Sequence, residues 1–296
     1  MTPGSPMRWD RVLALDHLTL LDIAPPDFVA LAAGAGFGAV GLRIAPATAA
    51  EAPWPMAPGS HMLAETIRRC RDSGVTVLDT ETILLTAEAD VAASEPVLET
   101  AATLNARYIN AIGDDPDLHR LSDCFGRLVA MAAAYGIRAV IEFMAYKTVR
   151  TLDDALAIAA GSDGGGILLD ALHIQRCGTD IGQIARVDQR LLGYLQLCDA
   201  PLDPGGDDAA AEARTGRLLP GEGGLPLTSL LSAVPPATPV AVEAPRLSLR
   251  GELTPAQFAA RARRSLDGVL ARWRDEGRAG RGEQARPGEQ DTNVAG

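Results

Sequence analysis

Positive charge is scarce in this chain: 27 Lys and Arg stand against 38 Asp and Glu, a formal net charge of −11 at neutral pH, and the pI is near 4.9. Nucleic-acid binding is driven by concentrated basic surface, so this balance argues against a nucleic-acid partner. Cysteine is sparse as well. Cys70, Cys124, Cys177 and Cys198 are scattered without a CxxC pair, which removes the spacing of a structural zinc site and fits reduced thiols in a cytoplasmic protein. No apolar run approaches the roughly 20 residues needed to span a bilayer, and the opening MTPGSPMRWD lacks the apolar core of a signal peptide. A cytoplasmic protein with no membrane partner is expected, and a homo-oligomer is compatible with the composition. Aromatic residues make up only 4%, so with alanine abundant the core should rest on small, tightly packed helices.

What the chain does have is alternation. Short β-like runs fall at 12–20, 39–44, 76–84, 108–112, 139–143, 166–170, 193–198 and 239–243, and segments of helical period at 26–35, 60–73, 95–105, 116–135, 151–160, 181–185, 226–233 and 254–276. Eight such units imply a single (β/α)8 TIM barrel, a fold that commonly takes about 250 residues as one domain. The barrel is expected over 10–275, between a flexible start at 1–9 and a polar, Gly-rich, disordered tail at 276–296. Gly36, Gly74 and Gly136 each follow a helix, where a left-handed cap is wanted. The glycine run at 34–38 ends a helix and precedes a strand, the reverse of the order a dinucleotide loop needs. The acidic, Gly/Pro-punctuated stretch 199–217 reads as a lid or binding loop.

Polar residues close several of the apolar runs: Glu142 ends Val140-Ile141-Glu142, Asp170 ends Ile167-Leu168-Leu169-Asp170, Gln196 lies in Tyr194-Leu195-Gln196, and Glu243 ends Val240-Ala241-Val242-Glu243. C-terminal strand ends of a parallel barrel converge on one mouth, so strands five to eight would gather these four. Burying three carboxylates together without a cation is costly. Three carboxylates and an amide oxygen form a hard donor set suited to Mg²⁺ or Mn²⁺. His173, three residues after Asp170, is placed to brace the set, touch a substrate hydroxyl or move a proton. Glu81, Arg43, Lys147 and Arg217 are the candidate substrate contacts. Arg150 shares the strand-five loop with Lys147, His17 is a weaker candidate, and His61 and His119 read as surface residues.

These motifs, with Leu219-Pro220-Gly221-Glu222-Gly223, resemble the xylose-isomerase-like TIM barrels of the sugar phosphate isomerase/epimerase superfamily over roughly residues 10–272. The resemblance implies that Glu142, Asp170, Gln196 and Glu243 are metal ligands and that Glu142 and Glu243 form the acid/base pair in epimerases; in a dehydration His173 would serve as base or acid. It implies a divalent-metal-dependent isomerase or epimerase of a keto sugar or related polyol, a small polyhydroxy carbonyl substrate, reacting by proton abstraction next to the carbonyl. Many members carry His where Gln196 stands, and Gln there is similar to one branch of the 3-dehydroshikimate dehydratases. A dehydratase or lyase of that type or of the inosose dehydratase type is therefore the alternative, and a non-catalytic sugar-binding barrel the second. The endonuclease branch resembles a histidine-rich trinuclear zinc site that four scattered histidines cannot supply.

Overall fold

Strands buried on both faces read as continuous Val/Ile/Leu runs, because helices cover the outside of a parallel sheet while side chains fill its inside. The computed structural model describes residues 11–48, 51, 53–204, 206, 208–249 and 251–284. In it the strands are β1 (Leu13–Leu15), β2 (Ala39–Arg43), β3 (Thr76–Leu85), β4 (Tyr108–Gly113), β5 (Arg138–Glu142), β6 (Gly166–Asp170), β7 (Leu192–Leu197) and β8 (Val240–Val242). They form a closed parallel barrel in sequence order, sealed by β1 pairing with β8 at Leu13↔Val240. The helices are α1 (Pro25–Ala35), α2 (His61–Ser73), α3 (Glu95–Thr103), α4 (Leu118–Ala134), α5 (Leu152–Ala160), α6 (Ala171–Arg176), α7 (Ile181–Ile184), α8 (Ala209–Thr215), α9 (Leu227–Ala233) and α10 (Pro255–Gln284). The expected (β/α)8 architecture is the observed one.

One apolar residue from each strand fills the barrel floor: Ala14, Ala39, Leu78, Tyr108, Val140, Leu168, Tyr194 and Ala241 pack as one buried cluster. Side chains repeat every second residue along a strand. Two residues further along β1 and β4 to β8 therefore stand Asp16, Asn110, Glu142, Asp170, Gln196 and Glu243, all buried. The apolar floor and the polar layer above it follow from the same periodicity.

β3 breaks that parity. Val40 pairs with Val77 but Gly41 pairs with Asp79, so Leu78 is an extra residue, and from there Arg43 pairs with Glu81. Such a bulge re-aims everything beyond it. It brings Asp79 and Glu81 into the polar layer with the acids of the other strands.

Four expectations are corrected. The run 12–20 is strand only to Leu15. Beyond it His17–Leu20 forms a 3-10 turn, because the Thr19 hydroxyl donates to Val242 O (3.1 Å) and accepts from Ala244 N (3.0 Å), fastening the turn across the end of β8. The stretch 199–217 contains α8, capped by the Asp208 side chain accepting from Ala211 N (2.8 Å). A short helix, α6, also follows β6 directly, where no helix was expected. Finally, α10 runs on to Gln284, past the expected start of the tail at 276, since its Arg, Ala and Glu residues favour helix enough to carry four glycines. The other expected flexible residues, 1–9 and 285–296, lie outside the described residues.

Candidate active site at the barrel mouth

The strand-end carboxylates and Gln196 meet where the periodicity puts them. Asp170 is the N-cap of α6, its Oδ1 accepting from His173 N at 3.0 Å. This cap fixes the D-x-x-H spacing and turns His173 toward β5, with Nε2 3.7 Å from Glu142 Oε1. One ligand atom each from Glu142, Asp170 and His173 lie within 4.8 Å of one another, which puts His173 among the groups able to hold a cation as well as beside them. On its other side, Glu142 Oε2 accepts from Asn110 Nδ2 at 2.9 Å. Gln196 donates through Nε2 to Asp16 Oδ2 (2.8 Å) and Glu243 Oε1 (3.1 Å), while its Oε1 is buried without a hydrogen-bond partner among the described residues.

Arg217 is the largest surprise of the site. Sequence reasoning made it a candidate substrate contact; the structure buries it to 2% exposure. Its Nε donates to Ala213 O (2.8 Å), so α8 holds it. Nη1 lies 2.6 Å from Asp170 Oδ2 and Nη2 3.0 Å from Glu243 Oε2. The loop that follows is knotted by Asp199, whose carboxylate accepts from Ala200 N, Gly221 N and Leu225 N, each at 2.9 Å. Arg217 still borders the small mouth cavity of about 60 Å³.

The remaining candidates sort by partner. Arg43 pairs with Glu81 (2.8 Å) and Glu51 (3.1 Å) and Lys147 with Asp114 (2.6 Å); all three of Arg43, Glu81 and Lys147 border the mouth cavity. Arg150, His61 and His119 are exposed. His17 is buried under Phe28, with Nε2 2.7 Å from Ile23 O and Nδ1 accepting from Arg43 N (3.2 Å). It braces Arg43 from behind. The sequence reading missed Asp16, Asp79 and Asn110. Asp16 carried the same signal as the others, an acid closing an apolar run, but Leu18 and Leu20 extended that run on paper. It also missed a wider depression of about 440 Å³ beside the mouth, bordered by Trp54, Pro46, Pro53 and Pro245 and sharing Leu18, Arg43, Glu51 and Arg214 with the mouth cavity.

Electrostatics follow from burial. Burial and the charges of Asp170 and Glu243 hold Glu142 well above the carboxylate range, against the opposing pull of Asn110 and Arg217. Burial raises Glu243 to about 8, with Arg217 opposing and Glu81 reinforcing. Asp170 goes the other way: burial disfavours its charge, but the Arg217 guanidinium and the α6 cap outweigh that and hold it low. His173 is lowered to about 4 by burial, so at neutral pH it is uncharged and its approach to Glu142 is not an ion pair. The donor set suits a divalent cation. It is oxygen-rich, the Gln196 Oε1 is orphaned, and each carboxylate oxygen engaged by Arg217 keeps a second lone pair.

The family model for the xylose isomerase-like TIM barrel matches residues 29–266. An inosose isomerase of Halalkalibacterium halodurans is 28% identical over 148 residues, 46% of this chain and 51% of the relative. The chain thus spans about half the length of the curated relative it matches. Among solved structures, an IOLI protein with a bound zinc atom superposes with a TM-score of 0.73 at 19% identity, covering 88% of this chain and 98% of that one. A D-psicose 3-epimerase from Clostridium cellulolyticum H10, solved with D-tagatose, does so with a TM-score of 0.69 at 13% identity, covering 88% and 98%. These likenesses agree with the barrel. Among the described residues no helix is long and apolar enough to cross a membrane.

Proposed function

We propose that this chain, which belongs to the xylose isomerase-like TIM barrel family, is an isomerase or epimerase of a small polyhydroxy carbonyl compound, a keto sugar or related polyol. The observation that carries the reading is the gathering of Glu142, Asp170, Gln196 and Glu243 in one buried layer at the barrel mouth. The inosose isomerase relative and the epimerase neighbour act, by their names, on compounds of this class.

Glu243, with a carboxyl group near 8, exchanges its proton near neutrality, as a general acid/base needs to. Glu142, raised by burial and held by Asn110 Nδ2, is the second proton carrier. A proton taken by one and returned by the other inverts a carbon next to a carbonyl, and return at the neighbouring carbon interchanges aldose and ketose. Neutral His173, whose Nε2 has no hydrogen-bond partner among the described residues, is free to accept or donate at a substrate hydroxyl. Arg217 orients Asp170 and Glu243, and Arg43 with Glu81 and Lys147 with Asp114 supply polar contacts around the rim. Glu142, Asp170, Gln196 and Glu243 would hold a divalent cation, Mn²⁺ or Mg²⁺ by their donor type, which when bound stabilises negative charge on the substrate oxygen as a Lewis acid.

Incubating the protein with keto sugars, inososes and 3-dehydroshikimate in D₂O with Mn²⁺ tests this. Deuterium in a product of otherwise unchanged composition is expected. Loss of water from the product would replace the reading with the lyase alternative, to which Gln196 in place of His is similar. Glu142→Gln and Glu243→Gln are each expected to lower turnover by about 10²–10⁴-fold, and full turnover by either variant would remove that residue from the mechanism.

A further inference from the structure

Beyond the ligand set just described, a second group of acids shares the polar layer. Asp16, Asp79 and Glu81 each bring a carboxylate oxygen within 4.8 Å of the others, and all three are at most 1% exposed. Of these three acids Arg43 engages only Glu81, through Oε2. Asp16 Oδ1, both oxygens of Asp79 and Glu81 Oε1 are buried without a hydrogen-bond partner among the described residues. Four acceptor oxygens facing one another with nothing between them is a costly arrangement unless something positive joins them.

Two further observations point to a ligand. The Tyr194 hydroxyl, on a side chain 1% exposed, faces the Asp79 carboxylate without closing a hydrogen bond to it. The strand beside the acids is cut away as well: a Cβ at Gly41 would collide with carboxylate oxygens of both Asp16 and Asp79. Glycine there leaves the room in which the two carboxylates stand.

Charge balance gives the size of what is missing. Six buried carboxylates, Asp16, Asp79, Glu81, Glu142, Asp170 and Glu243, share the mouth with two buried guanidinium groups, Arg43 and Arg217. With all six carboxylates ionised, one divalent cation leaves the layer two charges short, and a second brings it to neutrality. We propose that Asp16, Asp79 and Glu81 hold a second divalent cation of the hard, oxygen-seeking class, beside the one assigned to Glu142, Asp170, Gln196 and Glu243. Gln196 joins the two sites. Its amide nitrogen donates to Asp16 on one side and to Glu243 on the other, which a single imidazole N–H cannot do at once. The amide at this position is thus fitted to a barrel with acids on both sides of it.

The test counts metal. The full chain is stripped with EDTA, loaded with Mn²⁺, dialysed, and its manganese measured by mass spectrometry. Two equivalents are expected for the unaltered protein, one for Asp79→Asn, one for Glu142→Gln and none for the double variant. One equivalent in the unaltered protein, kept in Asp79→Asn and lost in Glu142→Gln, overturns the second site and leaves the first. The converse pattern supports the second site and overturns the first, and no bound manganese overturns both. The electron paramagnetic resonance spectrum of the unaltered, Mn²⁺-loaded protein needs no variant. Spin–spin broadening between neighbouring ions is expected, and a spectrum of isolated ions overturns the pairing.

Discussion

Arg217 sets the balance of the site at the scale of single residues. Among the described residues its guanidinium is the one cation that touches both Asp170 and Glu243, and removing one partner of a buried ion pair leaves the other charge uncompensated at a cost of about 3–5 kcal/mol. Arg217→Met is therefore expected to lower the unfolding free energy of the metal-free protein by that order, read by urea denaturation. A change within ~0.5 kcal/mol would mean the carboxylates do not depend on it. Loading with Mn²⁺ is expected to recover part of the loss, because the added cation compensates the same carboxylates. His17 has the opposite character: neutral, wedged under Phe28 and bonded at both nitrogens, it acts only by holding the backbone of Arg43.

At the scale of elements, α8 carries Arg217 into the mouth through Ala213 O. Its one side-chain cap is Asp208. Asp208→Ala is expected to cost about 1 kcal/mol and to raise KM more than it lowers kcat if α8 shapes the mouth, whereas an unchanged KM would make α8 mere cover. The strand ends were readable in the sequence because Glu142, Asp170, Gln196 and Glu243 each stand two residues beyond an apolar residue of the barrel floor, a relation that short runs preserve. α8 was not, since Ala and Glu between Gly, Pro and Asp read as a polar loop until a cap is seen. Nor was the β3 bulge, for no glycine or proline punctuates Thr76–Leu85. Without it, Asp79 and Glu81 fall on the wrong parity, so Glu81 stood out only for its place near a strand end and Asp79 stayed hidden. Asp16 was lost to the apolar letters of the turn that follows it.

The whole molecule should register its buried acids as a pH dependence. Glu243 is raised to about 8, and burial holds Glu142, Asp16 and Asp79 well above the carboxylate range. The metal-free folded state thus keeps protons that the unfolded chain, with carboxyl groups near 4, has released. That stability is present at low pH and is lost as pH rises through the folded values. His17 and His173, held neutral with values near 4, work the other way, but only below about 6.5, where the unfolded histidines take up protons. Above 6.5 the carboxyls act alone. The melting temperature of EDTA-treated protein is expected to fall between pH 6.5 and 8, and less steeply with Mn²⁺ present; a flat or rising curve in EDTA would refute it. The bulge at Leu78 carries this property too, and it is a matter of length rather than of letters. Removing one residue there would swing Asp79 and Glu81 out of the mouth and into the apolar layer between sheet and helices, at several kcal/mol for each unpaired polar group. Through lineages that share this barrel, the stretch 76–81 should then keep its number of residues while its letters drift, with insertions and deletions confined to the loops.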